Sequence, residues 1–262
     1  TLYRWVGTAA GALENGTGNA LTISGSTATF GSALSDNIGV GDVIEYDSDG
    51  NSSIDALAFI HSRTDSQTYT VKDKDGNTPT AVSGDNDWAI YRAYTSLANW
   101  ESQTENTNIT EPTEDDVNPS TDLVTANTVM MVACYADGVD SSVVNINGWT
   151  TDSNHYLKIY TPVSASEVGT TQRHNGTWSG GYSHEVSTTG NALLIEEENV
   201  RIEGLRLSIT ASSYGRIVGA NERISIGVIG CGGRGYQAHM PGVHKHAQSQ
   251  NAHGNEQFDQ RK

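Results

Sequence analysis

The chain changes character near residue 216, and that break limits what it can fold into. Up to about Gly215, short apolar runs alternate with Thr and Ser and are separated by Gly, Asp and Asn. Alternation at period two between turn residues is the pattern of strands, because neighbouring side chains of a strand point to opposite faces. Beyond about Ile217 the text becomes Ile224-Ser225-Ile226-Gly227-Val228-Ile229-Gly230-Cys231-Gly232-Gly233-Arg234-Gly235, an apolar run that ends on closely spaced glycines. The 262 residues are therefore expected to form an all-β body over 1–215 and a separate fragment over 216–262.

Residues 21–23, 27–30, 43–46, 56–60, 68–71 and 89–91 read as short strands. Asp49-Gly50-Asn51 and Asp75-Gly76-Asn77 are turn signals between them. The spacing predicts a small antiparallel barrel or sandwich over residues 1–92. Residues 95–101 read as a short helix, with Thr95 or Ser96 as cap and with Leu97 and Trp100 on one face.

Residues 93–215 read differently. Residues 129–133 are a continuous apolar run that suits a strand buried on both faces. Residues 143–146, 156–160 and 192–195 follow as strands. In 199–209, Val200 and Ile202 alternate, Gly204 breaks the phase, and Leu205, Leu207 and Ile209 alternate again. Two short strands joined by a tight bend are the unit of a solenoid. Ile202, Leu205 and Leu207 are expected to point inward, and Arg201, Glu203 and Arg206 outward.

The Asn-Val-x-Ile-x-Gly-Leu-x-Leu pattern at 199–207 resembles a coil of the pectate-lyase-like group, and the resemblance covers about residues 91–210. It implies a partial right-handed parallel β-helix whose first coil is capped by the helix at 95–101. It also makes a β-helix polysaccharide lyase or hydrolase one class of function to weigh.

Gly230-x-Gly232-x-x-Gly235 after an apolar strand has the spacing of a dinucleotide-binding turn. The first glycine turns the chain, the second lets backbone approach a pyrophosphate, and the third lets helix and strand pack closely. Together with Ala238-His239 and Gly242-Val243-His244, residues 218–251 resemble the amino-terminal start of oxidoreductases related to glucose–fructose oxidoreductase and inositol dehydrogenase. That resemblance implies a short Rossmann-like fragment in which Gly230, Gly232 and Gly235 would contact NAD(P). A second parallel strand should follow Asn251, but residues 252–258 hold one large apolar residue and a glycine. They cannot make a buried parallel strand, so no cofactor is expected, and an NAD(P)-dependent oxidoreductase fragment is the remote alternative.

The formal charge of −16 opposes binding to nucleic acid or anionic membrane surfaces. No run of 18 apolar residues exists, so no membrane span is expected. Cys134 and Cys231 fall on either side of the break and are expected to be free thiols. Asp47-x-Asp49-x-Asn51 imitates a calcium loop, but Ser52 stands at its sixth position and Ala58 at its twelfth. It reads as a hairpin turn, as does Asp73-x-Asp75-x-Asn77, and no metal is expected.

A lyase could draw on His155, Arg173, His174, His184 and Glu185, but no spacing among them fixes a site. His239, His244 and His246 lack the further ligands of a structural zinc site. The five tryptophans could stack on sugars, although core packing is the commoner use.

With 18% charged residues and abundant Gly, Ser, Thr and Asn, the chain suits an extracellular or cell-surface location. The expectation is a secreted structural or surface β-solenoid module without catalysis, whose partners are a glycan or further copies of itself. Titration with NADH is expected to give no saturable fluorescence change tighter than about 100 μM, near −5.5 kcal/mol. Tighter binding would show that the fragment is a working cofactor site.

Overall fold

A computed structural model describes residues 1–110, 117–178, 180–187 and 191–209. The described residues belong to one compact unit, Thr1–Arg216. Gly230, Gly232, Gly235, the Rossmann-like fragment and the three late histidines lie outside them.

The chain is mostly β. β1 (Leu2–Val6) is followed by β2 (Glu14–Asn15), β3 (Leu21–Ser24), β4 (Thr27–Phe30), β5 (Val43–Tyr46), β6 (Ala56–Arg63), β7 (Thr68–Lys72), β8 (Val82–Asp85) and β9 (Trp88–Tyr91). β2 to β9 form one eight-stranded antiparallel sheet in the order β2-β9-β5-β6-β7-β4-β3-β8. It curls around a core that includes Leu21, Phe30, Ile44, Ile60, Tyr69 and Trp88, all buried. Alternation decides which face each residue takes: Thr27 and Thr29 of β4 are exposed, whereas Ala28 and Phe30 are buried. Gly50, with φ of +76°, sits in the β5–β6 turn, and Gly76, at +88°, in the turn after β7, where a side chain would be strained.

The next elements are α1 (Leu97–Glu101), β10 (Met130–Cys134), β11 (Val139–Asp140), β12 (Val144–Ile146), β13 (Leu157–Tyr160), β14 (Ser183–Val186), β15 (Leu193–Ile195), β16 (Val200–Glu203) and β17 (Arg206–Ile209). They build three parallel sheets, ordered β1-β10-β13-β16, β11-β14-β17 and β12-β15. The sheets hold four, three and two strands, and in each the chain returns to lay a new strand parallel to the one it laid on its previous passage. β1 falls inside the segment read as antiparallel, yet its backbone pairs with β10 from Leu2↔Met130 to Val6↔Cys134.

The parallel register stacks like on like. Leu2, Met130, Leu157 and Val200 form one inner row. Arg4, Val132, Ile159 and Ile202 form the next. Each fully buried aliphatic contributes about 1.5–3 kcal/mol by leaving water. Arg4 takes a position that aliphatic residues fill in later circuits. It is fully buried, lies over the Phe59 ring and donates to the carbonyls of Val117, Tyr3 and Lys74. Burial lowers its pKa to about 10.

α1 has five residues and gains little from its own hydrogen bonds. Contacts at its start and along one face hold it instead. Ser96 Oγ accepts from Asn99 N at 3.0 Å, and Asp140 of β11 accepts from Leu97 N at 2.7 Å. Leu97 and Trp100 are buried in the core of the parallel sheets, and Trp100 stacks on Trp149 with centroids 5.1 Å apart.

Leu205 packs against this core as expected. Leu207 shares the register of His184, an inward residue, but is 42% exposed. β17 ends its sheet among the described strands, so no described strand stacks over Leu207. Arg206 is not a free surface cation: it pairs with Glu185 and donates to Ser183 Oγ at 3.1 Å through Nε.

A buried ionic network joins these parts. Arg92 Nη1 donates to Asp42 at 3.0 Å, and Nε and Nη2 donate to the two oxygens of Asp137 at 2.6 Å each. The guanidinium lies over the Trp5 ring of β1. Gln172 Nε2 donates to Asp137 Oδ1, and Gln172 Oε1 accepts from Ala136 N. Burial alone would lower the pKa of Arg92, but the two carboxylates carry it above the ordinary value. Removing one partner of such a pair costs about 3–5 kcal/mol because the other charge stays buried and unpaired. Arg92→Met is expected to cost that much, read from the shift of the urea midpoint; a loss under about 1 kcal/mol would show that the network does not hold the sheets together.

Candidate functional site

Two regions concentrate chemistry-bearing side chains. The first is a group of acidic loops at one end of the antiparallel sheet. Asp47, Asp49 and Asp55 bring carboxylate oxygens within 4.8 Å of one another, and so do Asp47, Asp85 and Asp87. A cleft of about 360 Å³ is lined by residues of these loops, including Asp47, Asp49, Ser83, Asp85 and Asp87. A second cleft of about 280 Å³ shares Ser52, Asn86 and Asp87 with it and reaches Glu45 and Trp88.

Asp47 is buried and organises the loop. Its Oδ1 accepts from Asp49 N, Gly50 N and Asn51 N, and its Oδ2 accepts from Ser52 N at 2.6 Å. Burial pushes the Asp47 carboxyl up, but these backbone donors bring it below the usual carboxylate range. The same logic repeats at the next turn, where Asp73 Oδ1 accepts from Asp75 N and Asn77 N. A carboxylate already saturated by backbone N–H groups has little left for a hard cation, which needs six to eight oxygen ligands. Asp85 differs: burial raises its pKa, and its Oδ2 is buried without a hydrogen-bond partner.

The second region is the outer face of the sheet β1-β10-β13-β16. Trp5, Ala133 and Tyr160 lie under Val40 and Val168 and are buried. The neighbouring row, Tyr3, Met131, Lys158 and Arg201, is in register across all four strands and stays partly or fully exposed. His61 meets the Tyr3 ring edge-on at 4.8 Å. Its Nε2 donates to the Thr1 carbonyl at 3.0 Å. Burial lowers its pKa to about 4 despite that bond, and Lys72 and Arg4 add to the fall, so the ring is neutral at pH 7. Arg201 lies over the Tyr156 ring, and Lys158 pairs with Glu203 at 2.8 Å. The row therefore offers aromatic and thioether surface with a guanidinium at one end.

Four of the five residues weighed for lyase chemistry are engaged with partners of their own. His155 bonds Asp152 and Asn127 in the turn before β13. His174 Nδ1 accepts from Gly176 N, which fixes a loop. Glu185 pairs with Arg206. His184 is fully buried 4.0 Å from Asp140, and Asp140 also accepts from the Tyr182 hydroxyl. Trp5, Trp88, Trp100 and Trp149 are buried, and Trp178 is exposed. Cys134 is a buried free thiol, and burial pushes its pKa well above the ordinary value. Sequence reading missed this row, because only strand register places residues 3, 131, 158 and 201 side by side.

Comparison with protein-family models, with curated proteins and with solved structures gives no match. No helix among the described residues is long and apolar enough to cross a membrane.

The saturation of Asp47 leads to a direct test of the acidic loops. Thermal unfolding in calcium and in a chelator is expected to differ by less than about 5 °C, which is roughly 1–2 kcal/mol for a domain of this size. A larger shift would mean that Asp49, Asp55, Asp85 and Asp87 gather an ion after all.

Proposed function

We propose that the chain is an extracellular surface module, built on the coils of a right-handed parallel β-helix, that holds glycan without turning it over. The observation that carries this reading is the row Tyr3–Met131–Lys158–Arg201 on the outer face of the four-stranded parallel sheet, half-buried at its first three positions and exposed at Arg201. Strands lie about 4.8 Å apart, so a row across four strands spans several sugar rings laid along it. Aromatic and thioether groups suit the C–H faces of pyranose rings, and Arg201 supplies donors for hydroxyl or carboxylate oxygens.

The β-helix part of the reading is supported by the parallel pairing of each strand with its counterpart one circuit on, and by the Gly204 bend between β16 and β17. The non-catalytic part is supported by where the titratable groups are spent. Asp42, Asp137 and Arg92 form a buried network, Asp140 anchors α1, and Glu167 accepts from the Tyr160 hydroxyl. None of these groups is placed beside a nucleophile or an open cleft in the way that acid–base catalysis requires.

Retention on immobilised neutral and uronate polysaccharides tests the reading. The unaltered chain is expected to be retarded on at least one of them. A Tyr3→Ala, Arg201→Ala double variant is expected to bind about tenfold more weakly, near 1.4 kcal/mol. Release of shortened or unsaturated sugars on incubation would point to a lyase or hydrolase instead.

A further inference from the structure

All three parallel sheets stop on the same passage of the chain. β15, β16 and β17 each end their sheet among the described strands. The inward residues of this last level are less covered than their partners in register. Ile195 is 41% exposed over Ile146, and Leu207 is 42% exposed over His184, whereas Ile146 and His184 are fully buried. Val200 and Ile202 of β16 are half-buried over Leu157 and Ile159, which are fully buried. A strand edge of this kind carries unpaired backbone groups and is a template for a further strand.

The sequence of β16 selects the strand that fits. Leu157 N donates to the Asn199 carbonyl and Thr161 N to the Glu203 carbonyl, so these two carbonyls point at β13. Alternation in a parallel pair turns the backbone N–H and C=O of Val200 and Ile202 the other way, to the free edge. The outward side chains alternate in charge, and Arg201 and Glu203 are both exposed. A second β16, run antiparallel with Ile202 opposite Ile202, exchanges both backbone hydrogen bonds at that pair. Arg201 of each strand then falls opposite Glu203 of the other. The arrangement is its own complement under a two-fold rotation, as an isologous contact requires. Charges of one sign protect an edge from such pairing, whereas alternating Arg and Glu favour it.

Both side chains have capacity left for a partner. Glu203 meets Lys158 Nζ through Oε2 at 2.8 Å, which leaves Oε1. Arg201 sits over the Tyr156 ring, 3.5 Å from its centroid, a contact that uses the face of the guanidinium and not its N–H groups.

We infer that the free edge of β16 is a self-association site, where a second copy of this chain pairs antiparallel about Ile202 with two Arg201–Glu203 contacts. Ile195 and Leu207, on the same level of the stack, add apolar surface to it. The contact joins two four-stranded sheets edge to edge, so the outer rows of two copies share one surface. So short an edge buries little, below about 1,200 Å², and a weak dimer is expected.

Sedimentation velocity of the full chain over a concentration series tests the site. Salt of about 0.15 M, with a Debye length of about 8 Å, screens the general repulsion of two chains of charge −16 while adjacent charges still interact. The unaltered chain is expected to dimerise with Kd below about 1 mM. Arg201→Glu and Glu203→Arg each set like charges opposite one another, and each variant alone is expected to dimerise at least tenfold more weakly. An equimolar mixture of the two is expected to recover the dimer, because every facing pair is again of opposite sign. A chain carrying both substitutions is expected to dimerise like the unaltered one, and all variants to keep its circular dichroism. An unaltered chain that stays monomeric to about 1 mM, single variants that dimerise undiminished, or a mixture and a doubly substituted chain that both stay monomeric would each overturn the proposal. Polysaccharide retention by the unaltered chain is a separate measurement, so the glycan-holding reading stands or falls independently.

Discussion

Arg92 is where the parts of this fold meet. Its guanidinium touches Asp42 beside the antiparallel sheet, Asp137 in the turn after β10, and Trp5 in the first parallel strand, while Gln172 of the long excursion braces Asp137. Burying a guanidinium between two acidic side chains costs several kcal/mol for each ion before their attraction is counted, and burial pushes the Asp42 carboxyl well above the usual carboxylate range even beside Arg92. The arrangement survives because the Asp137 pair is two-pronged and because the carbonyl of Asn37 and the N–H of Gly39 satisfy remaining donors and acceptors. The network ties Trp5 of β1 to Arg92, the residue that follows β9, and both to the turn after β10.

Once the parallel register is set, the two faces of the first parallel sheet follow from geometry. Inner rows stack aliphatic side chains from circuit to circuit. The outer face divides: one row is closed by Val40 and Val168, and the next, Tyr3, Met131, Lys158 and Arg201, is only partly covered. The excursion after β13 does two things in one length of chain. It covers the first outer row, and it carries Trp178 into solvent.

The acidic loops show why residue type alone misleads about metals. Asp47, Asp49 and Asn51 have the alternate spacing of a calcium loop, yet the Asp47 carboxylate is engaged by four backbone N–H groups of its own turn. Short polar side chains favour such local bonds, and these bonds shape the β5–β6 hairpin.

The all-β character, the antiparallel strands from residue 21 to residue 91 other than β8 (Val82–Asp85), and the Ser96-capped helix were legible in sequence, because each depends on local signals: alternation, Gly and Asn at turns, a capping hydroxyl. The strand at Leu2–Val6 was not, because its pattern carries an arginine in an inner row and its partner lies at Met130–Cys134, far along the chain. β11 and β14 were missed for a related reason. They carry Asp140 and His184 inward, polar residues that break the apolar rhythm; Asp140 accepts from Leu97 N and the Tyr182 hydroxyl, far along the chain, as well as from Ser142. The sequence by itself determined which segments extend, which turn and which residues prefer burial, since those are properties of a few consecutive residues. Tertiary structure alone decided the pairing of β1 with β10, the meeting of Arg92 with Asp42 and Asp137, the partly covered row on the parallel sheet and the exposure of Trp178. Each of these brings together groups far apart in the chain, and only packing, which weighs all burial at once, selects among the pairings that local preference allows.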